Sequence, residues 1–126
     1  MPARSLFSIA LLLISACSSA PVPTSTDSGI IGNVTIGPMC PVVQVGRPCP
    51  DKPYQANLTV LLSTDRSTVL RFQTDSNGNY RTFLAPGEYI LMPESPGLMP
   101  HAAEIPFIVH AHQFTRVDVV YDSGIR

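Results

Sequence analysis

Apolar and polar residues alternate with a period of two over most of this chain, and no stretch carries the 3.6-residue period of an amphipathic helix. The alternation predicts strands over Ile30–Ile36, Asn57–Leu62, Ser67–Thr74, Asn79–Leu84, Glu88–Met92, Ile105–Ala111 and Phe114–Tyr121. It is sharpest in the last of these, where Val117, Val119 and Tyr121 form an inward face against Phe114, Arg116, Asp118 and Val120. In the third, Leu70 and Phe72 point inward while Arg71 and Gln73 face solvent. Prolines between or at the ends of these runs suit strand boundaries and exclude long helices. Asp75-Ser76-Asn77-Gly78 predicts a tight hairpin turn with positive φ at Asn or Gly. Pro86-Gly87 predicts a second turn, and Ala111-His112-Gln113 the tip of the last hairpin. Seven short strands imply an all-β sandwich.

Ahead of the strands, Arg4 precedes an apolar run from Leu6 to Ile14, the layout of an export signal and too short to span a bilayer comfortably. Ile14-Ser15-Ala16-Cys17 resembles the bacterial lipobox. That resemblance implies removal of residues 1–16 as a lipoprotein signal peptide and attachment of acyl chains such as palmitate to Cys17. Two or more chains anchor stably where one does not. The protein is then expected on the extracytoplasmic side of a cell membrane or outer membrane, held by its lipid. The alternative is an ordinary secretory signal that leaves Cys17 as a thiol. Lipidation of Cys17 leaves an even pair, Cys40 and Cys49, too far apart for a CxxC motif and lacking neighbours for a zinc set. A structural disulfide is the expected use in an oxidising compartment. Residues 17–28, small, polar and Pro-containing, read as a flexible tether, and 29–126 as one domain. Loss of Arg4 with the signal leaves 7 basic against 9 acidic side chains, a charge of −2 with no basic cluster, which disfavours nucleic acid as a partner.

Thr74-Asp75-Ser76-Asn77-Gly78-Asn79-Tyr80 and Leu84-Ala85-Pro86-Gly87-Glu88-Tyr89-Ile90-Leu91 together resemble the T-D-x-x-G-x-[YF] and L-x-P-G-x-Y-x-[LV] motifs of carboxypeptidase regulatory-like domains. Gly32-Asn33-Val34 resembles the G-x-V of their first strand. The resemblance spans about Gly29 to Val120 and implies a seven-stranded Greek-key sandwich of prealbumin-like (transthyretin-like) type. It implies no particular activity. The chain departs from the family in the Pro-rich stretch Gly37–Tyr54 between strands one and two, where a turn is usual. Stapled by Cys40 and Cys49, that loop suits either a cover over one end of the sandwich or a rigid recognition loop.

Candidate chemistry is sparse. His110 and His112 would share one face of a regular strand at metal-compatible spacing, with His101 as a third ligand, but no carboxylate accompanies them. Asp75, Asn77 and Asn79 match the first positions of a calcium loop, yet Tyr80 and Pro86 stand where Gly and Glu are needed. No Ser occupies a G-x-S-x-G elbow, and the C-terminus lacks the Tyr-Arg-Gly-Ser of transthyretin-like hydrolases. The isopeptide chemistry of the related Cna B-type domains lacks its residues, because Lys52 is the sole Lys and Phe114–Tyr121 contains no Asn. No cofactor is expected. The sequence therefore reads as a non-catalytic, lipid-anchored envelope protein that meets a protein partner through its loops; the alternative is a metal-binding domain built on His110 and His112. The tail is expected to close the stapled end through Asp122 or Arg126 paired with Arg47 or Asp51.

Overall fold

Nine strands and no helix make up the described part of the chain, residues 27–42 and 45–126 of a computed structural model. The expected signal, Cys17 and all but the last two residues of the expected tether lie outside the described residues. In order the strands are β1 (Gly29–Gly37), β2 (Lys52–Pro53), β3 (Asn57–Leu62), β4 (Thr68–Gln73), β5 (Asn79–Phe83), β6 (Gly87–Pro93), β7 (Ile105–Val109), β8 (Phe114–Arg116) and β9 (Val119–Asp122). They form two sheets. In the first, β1 lies in the middle, with β5 and then β2 antiparallel along one side and β8 and then β9 parallel along the other. The second is antiparallel in the order β4-β3-β6-β7.

One core joins the inner faces. Ile30, Val34, Tyr80, Val117, Val119 and Tyr121 from the first sheet pack with Leu58, Val60, Tyr89, Leu91, Phe107 and Val109 from the second. Their period of two along each strand puts every other side chain in this sandwich-like interior, and Leu70 and Phe72 border it half-buried. Gly32 is required on the inner face, since a Cβ there would lie 1.9 Å from the Val117 carbonyl.

The strand count departs from seven in two places. β2 arises inside the Pro-rich loop, and the expected last strand divides at Val117-Asp118. The register with β1 is the same before and after the gap, from Gly29 opposite Phe114 to Gly37 opposite Asp122. At the gap the Asp118 carboxylate accepts the Asn33 N–H at 2.9 Å, replacing a backbone acceptor, and the Tyr80 hydroxyl donates to the Val117 carbonyl.

None of the three expected turns, two of them expected as hairpins, joins neighbours in one sheet. Asp75–Gly78 carries the chain from β4 to β5, Pro86 from β5 to β6 and Ala111–Gln113 from β7 to β8, each time across the core to the other sheet. At the first, positive φ falls on Gly78 alone of its four residues (77°), and the Asp75 carboxylate holds the amides of Asn77 (2.9 Å) and Asn79 (2.8 Å). At the second, Gly87 begins β6 without positive φ. At the third, His112 takes φ 60°.

Candidate functional site

The strands run between two poles that differ in construction. At the pole where the chain reaches β1, the connections are short. Around Ser28 the Leu84 amide donates to the Ser28 carbonyl at 3.0 Å, and the Ser28 hydroxyl donates to the Leu84 carbonyl at 2.7 Å. At the far end of β1 begin the long segments: the loop from Pro38, the β6–β7 connection from Glu94, and the C-terminal tail.

The disulfide Cys40–Cys49 forms there as expected, closing a span of 9 residues with Cα atoms 6.1 Å apart. The tail locks onto the base of this loop: the Ser123 amide donates to the Gly37 carbonyl at 2.9 Å, and its hydroxyl to the Pro38 carbonyl. The tail also pairs with the β6–β7 connection, through reciprocal bonds of 3.0 and 2.7 Å between the backbones of His101 and Asp122. Beneath them the Tyr121 ring, wholly buried, meets Tyr54 edge-on at 4.8 Å and donates its hydroxyl to the Glu94 carbonyl at 2.7 Å. Burial pushes that hydroxyl up to about 12, so it stays a donor across the physiological range.

The charges do not pair as expected. Asp122 binds Arg126 at 2.7 Å, a local i to i+4 pair, and among the described residues neither bridges to Arg47 or Asp51. Reaching four residues along the tail orders less chain than reaching the loop. Arg126 and the Gly124 amide hold the Asp122 carboxyl down to about 2. Glu94 is also kept below the usual carboxylate range, chiefly by Arg71 at 2.5 Å, and accepts the Thr59 hydroxyl at 2.9 Å. Tail and loop thus share one pole through backbone bonds, with the charges arranged beside them.

Among its charged groups this pole exposes large apolar side chains to solvent. Leu98 is 93% exposed and Val42 69%, with Val45 and Met99 beside them in exposure. A hollow of about 220 Å³ is lined by Cys40, Val42, Arg47, Pro48 and Cys49. Leu98 and Met99 were not singled out by periodicity, because two apolar residues within Pro96-Gly97-Leu98-Met99-Pro100 carry no period; their bracketing by Pro and Gly is the signal that marks an exposed loop.

The three histidines are not brought together. β7 stops at Val109, so His110 and His112 do not sit on a regular strand, and the positive φ of His112 breaks the shared face. The His112 imidazole instead contacts the Asp27 carboxylate at the pole where the chain reaches β1, whereas His101 belongs to the opposite pole. Among the described residues no group of three or more His, Cys, Asp or Glu is gathered to hold a metal ion. Asp75, Asn77 and Asn79 are spent on their turn: Asp75 holds two amides, and the Asn33 side chain donates to Asn77 O (3.2 Å) and Asn79 Oδ1 (2.8 Å). In comparisons with known proteins, no family model and no curated protein matches the chain.

Proposed function

We propose that this chain is a non-catalytic, lipid-anchored cell-envelope protein, tethered through Cys17, whose domain is a binding module of the carboxypeptidase regulatory-like, prealbumin-like kind. In that reading β8 and β9 count as one strand of a seven-stranded Greek key, and β2 belongs to the stapled insertion. The observation that carries the proposal is the separation of the poles. β1 spans nine residues, about 30 Å at roughly 3.3 Å per residue, between the point where the tether arrives and the stapled loop. An anchored domain therefore presents Val42, Val45, Leu98 and Met99 away from its attachment, on a scaffold stiffened by a disulfide and prolines, which lowers the ordering cost of docking a protein partner.

Three measurements test it. Palmitate labelling of the full chain is expected to disappear in Cys17→Ala, and persistence of label would overturn the anchor. Capture from native envelope is expected to recover a partner that Leu98→Ser with Met99→Ser loses while melting is unchanged. Recovery that ignores this pole, or no partner at all, refutes the binding role. Zinc or copper titration is expected to show no stoichiometric binding; tight binding lost in His110→Ala would favour the metal alternative.

A further inference from the structure

The outer face of the first sheet carries a surface that the binding role of the stapled pole does not use. Register places Phe83, Gly29 and Phe114 in one row across β5, β1 and β8, and Arg81, Ile31 and Arg116 in the next. Gly29 has no side chain, so the two phenyl rings meet over it at 5.8 Å. The Arg81 guanidinium lies 4.2 Å from the centroid of the Phe114 ring and 5.8 Å from that of Phe83. Among the described residues Arg81 forms no ion pair, whereas Arg116 is held by Asp118 at 3.0 Å. Phe83 is 49% exposed and Ile31 is exposed beside it. An aromatic pair with an unneutralised cation stacked on it has the chemistry of the lipid headgroup zone, where ring faces sit among the acyl carbonyls and arginine meets phosphate.

Position names the occupant. The residue that lies between the two rings is Gly29, the first of β1, so the chain outside the strands arrives in the middle of this patch. We propose that Phe83, Phe114, Ile31 and Arg81 form a bilayer-contact face that lays the tether pole of the domain on the surface of an anionic phospholipid membrane, with Arg81 on a lipid phosphate. The proposal rests on the lipid-anchor reading, since it takes the bilayer to be the one holding Cys17. The neighbouring acids are engaged elsewhere: Asp118 pairs with Arg116, Asp75 holds the amides of its own turn, and Asp27 contacts His112. The result is a domain held in a fixed pose, its stapled pole turned outward, instead of one swinging on a string.

The chain contains no Trp, so a single introduced Trp is an unambiguous reporter. Full-length Phe83→Trp, Phe114→Trp and Leu98→Trp are each reconstituted in vesicles of phosphatidylglycerol and phosphatidylcholine containing brominated lipid, with the mass at Cys17 read on the same samples. Trp at 83 and at 114 is expected to be quenched and blue-shifted, and Trp at 98 to match its value in lipid without bromine. Arg81→Gln in the Phe83→Trp background is expected to weaken the contact about fivefold in phosphatidylglycerol vesicles and to change nothing in phosphatidylcholine alone. Quenching at 98 equal to that at 83, or none at 83 and 114 in lipidated protein, overturns the proposal and leaves the anchor standing. Absence of lipid on Cys17 overturns the anchor, and quenching at 83 then decides the contact face independently.

Discussion

The two poles of this sandwich are closed by different means. At the tether pole Pro86 and Ala111–Gln113 suffice, short crossings closed by a few local bonds. At the stapled pole three long segments lock onto one another through a disulfide, backbone bonds from Ser123 and Asp122, and the buried Tyr121 hydroxyl. Short crossings hold themselves, because few residues have to be ordered; long segments need cross-links before their side chains can be presented rigidly. The extra construction at one pole fits the proposed recognition surface, whose side chains have to be held rigidly before they can dock.

The sharpest way to break this contrast is a pair of glycines. Gly78→Ala puts a Cβ 2.1 Å from the Val34 carbonyl at φ 77°, where the backbone also accepts the Val34 N–H at 2.8 Å, and is expected to cost about 3–4 kcal/mol. Gly87→Ala in the opposite crossing meets only the Tyr89 ring at 3.5 Å and is expected to stay within about 0.5 kcal/mol. Equal losses in urea denaturation would erase the distinction.

Removing the staple in Cys40→Ser with Cys49→Ser is expected to cost about 2.7 kcal/mol by loop entropy. Amide exchange should then accelerate in the loop and tail and remain unchanged around Ser28 and Leu84. Next come two tyrosine hydroxyls, one at each pole. Tyr121→Phe leaves the Glu94 carbonyl without its donor and should cost about 1–1.5 kcal/mol, and Tyr89→Phe, whose hydroxyl reaches Ala85 at the tether pole, less than that; thermal melts rank them. The smallest effect is the acid limb. Asp122 ionises in the folded protein near 2, below its ordinary 3.8, so its hold on Arg126 and Gly124 is complete above about pH 4 and is lost as pH falls through 2. Exchange in residues 123–126 should rise over that window, and Asp122→Asn should abolish the dependence.

Much of the fold was legible in the sequence, as Val117, Val119 and Tyr121 illustrate: a period of two names the inward face with no knowledge of the partner sheet. Connectivity was not. Asp75-Ser76-Asn77-Gly78 specifies a turn and its φ, but turn chemistry says nothing about which sheet receives the next strand, and the hairpins expected at Asp75–Gly78 and Ala111–Gln113 are crossings between sheets. The split of the last strand depends on Asp118 finding the Asn33 amide, an encounter 85 residues apart. In the candidate site, cysteine arithmetic disclosed the staple, whereas Leu98 and Met99 carried no period. The Arg81, Phe83 and Phe114 cluster needed the register of β1 to become visible.

That register also orders events in time. β1 is the first strand made, yet its parallel neighbours β8 and β9 are the last, so the sheet it anchors cannot close until nearly the whole chain is present. The second sheet, by contrast, is complete once β7 has appeared. With its earliest strand waiting for its latest, the first sheet depends on contacts distant in sequence, and its final closure is expected to be the slow step of folding.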